Sequence, residues 1–246
     1  PLIVGTSGRY EFRNKGIDIF LDALKQLAET DALDREVLVY ITVPSATTGP
    51  RKDLQAHLAD ENSPIDPKQN RFCTHYLEHP EWDQILNSIA GSVLANPSSK
   101  VKVVFVPTYL NGRDGIFDKS YYELLVGMDM TLFPSYYEPW GYTPLESTAF
   151  SVPTLTTTLA GFGLWAGSQG EHEGVTLVAR NDDNYAEAAR EIAKALLHFT
   201  KYTPQEVEIA RNAAAELSRT ALWSELYAAY EKVYSEAIER SVTRTN

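Results

Sequence analysis

Apolar residues fall along this chain in short, nearly unbroken blocks separated by stretches of helical periodicity. Six blocks stand out: LIVGTS (2–7), VLVYITV (37–43), VKVVFVP (101–107), MTLFP (130–134), VPTLTT (152–157) and GVTLVA (174–179). They are rich in β-branched residues and continuous rather than alternating, the mark of parallel strands covered on both faces. After the first block, Ile17, Phe20, Leu21, Leu24, Leu27 and Ala28 recur at helical spacing, with Asp18, Asp22, Lys25 and Glu29 on the opposite face. Shorter helices are predicted over 121–128 and 144–150. Strand and helix therefore alternate, which predicts an α/β fold built on a doubly wound, Rossmann-like parallel sheet.

Two regions depart from the minimal pattern. Residues 44–100 read as a long insertion rich in Pro, Asn and Asp, with an amphipathic piece around Trp82, Ile85, Leu86 and Ile89. Residues 184–246 are helical in pattern throughout. Tyr185, Ala188, Ala189, Ile192 and Leu196 make one stripe, and Trp223, Leu226, Tyr227, Tyr230, Val233 and Tyr234 make another, read as core packing rather than a cofactor surface.

Composition narrows the function classes. Hydrophobic residues at 43% and charged residues at 22% are ordinary for a folded domain. A net charge of −11 argues against a protein that tracks nucleic-acid phosphates, yet leaves room for a small anion held by a few local cations. The single cysteine, Cys73, excludes an internal disulfide framework and fits a reducing compartment, so a cytoplasmic location is expected. No run of 18 apolar residues is present, and no membrane association is expected. The chain opens at Pro1 directly into a strand, without Met or leader, and is read as a fragment of a longer protein.

In an open parallel sheet, ligands sit beyond the carboxyl ends of the strands, so the residues after each strand carry the chemistry. After the first comes SGRYEFRNKG: Gly8 allows a tight turn, and Arg9 and Lys15 flank the start of a helix. A helix N-terminus with a guanidinium and an ammonium suits a diphosphate, although neither phosphate-loop glycine pattern is present and a solvated basic turn is the alternative. After the fourth strand comes SYYEPWGYTPLESTAF. Thr143 falls at a predicted N-cap, Pro144 in the first turn, Gly141 where backbone approaches a ligand closely, and Glu146 one turn into the helix. Complementing the helix dipole accounts for Glu146 alone, not for Glu138, Trp140 and Gly141 together. HYLEH (75–79) matches an inverted zinc-peptidase pattern, but Pro80 opposes the helix it needs, and metal binding is not expected there.

Taken together, SGRYEFRNKGIDIFLDAL, LFPSYYEPWGYTPLEST and PTLTTTLAGFG resemble the C-terminal half of a glycogen synthase of the animal and fungal type, here a bacterial member. The resemblance extends to VPTYL, THYL and LSRTALWSELYAAYEKVYSEAI, and so covers most of the chain. It implies the C-terminal domain of a two-lobed (GT-B) retaining glucosyltransferase, spanning 1–246, whose N-terminal acceptor domain is absent. It further implies that Arg9 and Lys15 grip the nucleotide diphosphate and that Tyr121 stacks on uracil with Tyr109 at its border. Glu138 lies by the transferring glucose, and Glu146 holds the ribose hydroxyls. Trp140, Gly141, Tyr142 and Thr143 form the corner that holds sugar and phosphates. The implied partners are UDP-glucose and glycogen or another α-glucan, with no metal cofactor and no nucleic acid, and with the full-length enzyme a homo-oligomer. The arginine-dense helix that binds glucose 6-phosphate in eukaryotic members has no match here beyond Arg211 and Arg219. An ADP-glucose-using transferase and a non-catalytic nucleotide-sugar or glucan-binding module are the alternatives.

Overall fold

The structure, a computed structural model, describes residues 1–170 and 172–245. In chain order the elements are β1 (Leu2–Ser7), α1 (Ile17–Glu29), β2 (Val37–Thr42), β3 (Thr47–Pro50), α2 (Lys52–Ala59), β4 (His75–Leu77), α3 (Gln84–Ile89), β5 (Val101–Phe105), α4 (Tyr121–Leu125), β6 (Met130–Phe133), α5 (Tyr142–Ala149), β7 (Thr154–Thr157), α6 (Gly161–Ser168), β8 (Val175–Val178), α7 (Tyr185–Phe199), α8 (Pro204–Arg219) and α9 (Trp223–Thr245). The six strands expected from the apolar blocks form one sheet in the order β5-β2-β1-β6-β7-β8, with every pairing parallel. The chain winds outward from β1 to β5, then crosses back to β6 and winds outward to β8. That reversal sets a switch point between β1 and β6, and in such sheets ligands bind beyond the carboxyl ends of the strands there.

The apolar face of α1 (Ile17, Phe20, Leu21, Leu24, Leu27) is buried against the sheet and against Ala188, Ala189, Ile192 and Leu196 of α7. Each such large side chain stabilises the fold by about 1.5–3 kcal/mol. The 44–100 stretch is the connection between β2 and β5. It carries the antiparallel β3–β4 pair and then α3, whose Ile85, Leu86 and Ile89 enter the main core. Trp82 does not join them: it stands 78% exposed on the turn before α3. HYLEH lies partly on β4 rather than on a helix. Its buried His75 bonds to the Thr74 hydroxyl (2.8 Å) and the Asp114 carbonyl (2.9 Å), while His79 is exposed.

The stripe on α7 is core, as its spacing predicts. The stripe on α9 is not. Trp223, Tyr227, Tyr230, Val233 and Tyr234 are all exposed, because helical periodicity specifies that one face is apolar without specifying what covers it. No described helix is long and apolar enough to cross a membrane.

Candidate functional site at the sheet switch point

Two loops build the crevice. The first runs from the end of β1 to α1. Its Gly16 caps α1 in the left-handed region (φ 69°) and lies against the loop after β6, where a Cβ would come within 1.8 Å of the Pro134 carbonyl oxygen. Only glycine allows both the conformation and the approach. The second loop runs from β6 to α5 and is pinned on both sides. The Tyr136 N–H donates to the Asn14 carbonyl at 2.8 Å. The Glu138 N–H donates to Leu159, and its carbonyl accepts from Gly161 at 3.0 Å. Beneath it, the buried Arg180 guanidinium donates to the Pro134 carbonyl and lies 5.2 Å from the Tyr136 ring centroid. Burial pushes the pKa of this guanidinium down, and the nearby Asp18 charge opposes that shift.

A cleft of about 470 Å³ opens over the ends of β1, β2 and β5, and Arg9, Tyr109, Tyr121, Thr143 and Glu146 all lie on its walls. Tyr121 forms part of the floor, its hydroxyl 2.7 Å from Ser7 Oγ at the tip of β1. Burial, reinforced by the Glu146 charge, pushes its phenol up to about 12, so it is neutral at physiological pH. Tyr109, by contrast, is largely exposed at the rim. The Glu146 charge also raises the neighbouring Tyr122 phenol.

Lys15 and Glu138 stand beside the cleft rather than in its wall. Lys15 passes next to Gly8, a cleft residue, and its ammonium donates to the Glu138 carboxylate in an ion pair with both side chains largely buried. Arg9 is also occupied: it pairs with Glu11 at 3.0 Å. Both cations that could hold a diphosphate thus have carboxylate partners.

The helix start differs from the sequence expectation. Gly141 (φ 111°), not Thr143, is the N-cap of α5, and no side chain caps that end. Thr143 is the second helical residue, because the left-handed glycine ends the loop two residues earlier than a side-chain cap would. The half-buried Trp140 side chain packs on Phe162 and Trp165, ring centroids 6.2 and 5.7 Å away, and its carbonyl accepts from the Phe162 N–H at 2.6 Å. Tyr142 points to solvent, 72% exposed. Sequence reasoning missed Ser7, Glu11, Tyr122 and Arg180. Of these, Arg180 lies two residues past β8, as Arg9 does past β1, so the strand-end rule that found Arg9 also reaches it.

The fold agrees with solved structures. A glycosyltransferase from Rickettsia africae matches 96% of this chain and 48% of its own (TM-score 0.54, 16% identity). A pneumococcal O-GlcNAc transferase in complex with UDP and GlcNAc matches 97% and 36% (TM-score 0.53, 12% identity). At such identities the likeness concerns the fold alone. Among curated sequences, the glycogen [starch] synthase of Neurospora crassa is 28% identical over 96% of this chain, and the human liver enzyme 28% identical over 98%. The chain spans 42% of the length of each. The glycogen synthase family model matches residues 57–245, three quarters of the sequence, taking in the Glu138–Glu146 corner and the helical end alike. With a Rossmann-like sheet, a crevice at its switch point and that family-wide match, this chain belongs to the glycogen synthase family.

Proposed function

We propose that this chain is the C-terminal, donor-binding domain of a retaining glucosyltransferase of GT-B architecture. In this reading the enzyme moves glucose from UDP-glucose to the 4-hydroxyl end of an α-1,4-glucan such as glycogen. The observation that carries the reading is the convergence of Arg9, Tyr109, Tyr121, Thr143 and Glu146 on one cleft at the β1/β6 switch point, with the Lys15–Glu138 pair beside it.

In this reading uracil lies over Tyr121 near Tyr109, and Glu146 accepts from the ribose hydroxyls. Arg9 and Lys15 exchange their carboxylate partners for the diphosphate, and the uncapped start of α5 adds its backbone N–H groups. The bond from the anomeric carbon to the β-phosphate oxygen breaks and its electron pair leaves with UDP. The acceptor 4-hydroxyl bonds to that carbon on the same face and its proton goes to the leaving phosphate oxygen. Arg9, Lys15 and the helix start neutralise the departing charge, so the reaction proceeds without a metal. Glu138 stabilises the positive charge that develops at the anomeric carbon. The acceptor lobe belongs to an N-terminal domain outside 1–246, and the whole enzyme is a cytoplasmic homo-oligomer of bacterial origin.

Calorimetry of UDP on the 246-residue chain, with chemical-shift mapping, tests the reading. Weak UDP binding that perturbs Arg9, Lys15 and Glu146, without glucosyl transfer to glycogen, is expected, because the closing lobe that excludes water is missing. UDP bound elsewhere overturns the site. Preference for ADP turns the reading to an ADP-glucose enzyme, and a full-length protein that binds but never transfers turns it to a binding module.

A further inference from the structure

We propose that a second cleft, beside the donor cleft, docks a run of α-glucan, with the Trp82 indole as its stacking platform. The inference rests on the reading of this chain as part of a glucosyltransferase, and names a polymer subsite that the donor cleft does not contain.

The chain holds Trp82 outward by construction. Pro80 starts a single 3₁₀ turn (Pro80–Trp82), and Asp83 then caps α3 by accepting from the Leu86 N–H at 2.8 Å. Ile85 and Leu86 are buried immediately after, which fixes the phase of the helix and leaves the preceding indole 78% exposed. The turn borders a cleft of about 400 Å³ that also takes in Tyr10, Pro44, Ser45, His79 and Gln84. Tyr10 and Pro44 line the donor cleft too, so the two spaces adjoin. Their common wall is stiff: the Tyr10 hydroxyl donates to Asp83 Oδ2 at 2.8 Å and accepts from the Ile85 N–H at 3.2 Å.

The chemistry of the lining selects the occupant. It contains no Lys or Arg, which disfavours a phosphate or a second nucleotide. It offers an indole face, a hydroxyl, an amide and an imidazole, together with the Asp83 carboxylate, which accepts from the Tyr10 hydroxyl and the Leu86 N–H. A pyranose ring needs that combination, since its C–H face is apolar and slightly positive against the negative face of an aromatic ring, while its rim is hydroxyls. A polymer with one end at the donor cleft has further glucose units to place, and an aromatic-edged cleft without cations next door holds them.

The test titrates maltoheptaose into the 246-residue chain and follows the indole N–H resonances, with Trp82 identified by its loss in Trp82→Ala. A shift of the Trp82 resonance is expected, with at least tenfold weaker maltoheptaose binding in Trp82→Ala and unchanged affinity for UDP. Trp82→Phe should recover part of the loss. Equal maltoheptaose affinity in wild type and Trp82→Ala overturns the subsite, as does a wild type that binds UDP but no maltoheptaose; both leave the donor reading intact. Maltoheptaose bound at Trp82 by a chain that ignores UDP supports the subsite and removes the donor reading. Concentration-dependent dimerisation abolished by Trp82→Ala assigns the indole to a second copy of the chain and overturns the inference.

Discussion

Lys15 and Glu138, 123 positions apart in the sequence, share an ion pair at the switch point of the sheet. The pair joins a residue proposed for the diphosphate to one proposed for the sugar. In the proposed reading, donor binding separates them and frees each for its own ligand.

Removing the cations should weaken nucleotide binding. Charge-assisted hydrogen bonds contribute about 1.5–3 kcal/mol each, so Lys15→Ala or Arg9→Ala is expected to lower UDP affinity tenfold or more by calorimetry. Glu138→Gln should leave affinity unchanged or raise it, because it frees Lys15 from a competitor. A tenfold loss in Glu138→Gln would show instead that the carboxylate supports the phosphate site, and unchanged affinity in both cation variants would remove them from it.

At Tyr121 the ring and the hydroxyl have separable effects. If the ring stacks on the base, Tyr121→Ala should cost about 1–3 kcal/mol of UDP binding, by analogy with base stacking on aromatics. Tyr121→Phe loses only the bond to Ser7, about 0.5–1.5 kcal/mol. Equal losses in calorimetry would assign the effect to the hydroxyl and count against stacking.

Gly16→Ala is expected to destabilise the fold severely. The left-handed backbone alone costs a non-glycine residue about 1–3 kcal/mol, and the added Cβ would also collide with the Pro134 carbonyl. Urea unfolding should show the midpoint falling sharply, with UDP binding lost alongside. A variant with wild-type stability would mean that the two loops can move apart at little cost.

Arg211 is occupied in a structural role. Its guanidinium donates to the Met128 carbonyl at 2.6 Å and to the Ser151 carbonyl at 3.2 Å, tying α8 to the turns around β6 and β7. With this arginine engaged, glucose 6-phosphate should stabilise the chain in thermal melts no more than inorganic phosphate does. Arg211→Ala should lower stability by about 1–3 kcal/mol without changing that response. A specific upward shift with glucose 6-phosphate would reveal an effector site.

Much of the fold was legible because parallel strands buried on both faces read as unbroken apolar blocks, and all six blocks became strands of one sheet. The rule that ligands lie past strand ends then selected Arg9, Lys15, Glu138 and Glu146. What stayed hidden was pairing. Nothing local distinguishes Glu11 from any solvated carboxylate near an arginine, and nothing in either loop announces that Lys15 meets Glu138. The packing of Trp140 on the aromatic pair of α6, in a small core of its own, was hidden in the same way. On α9 the limit was different, since an apolar face names no partner.

The contact of Gly16 with Pro134 also bears on how the chain acquires its site during synthesis. The two walls of the crevice come from opposite halves of the polypeptide, and neither peptide segment contains a binding site by itself. A nascent chain carrying only β1, α1 and β2 presents its basic loop with no opposing wall, so nucleotide cannot capture it. The site comes into being only when β6 emerges and docks parallel to β1, a slow, long-range pairing. If the chain binds a UDP-sugar as proposed, the ligand offers the growing chain no protection against misfolding before that moment, and stabilises the completed sheet by mass action after it.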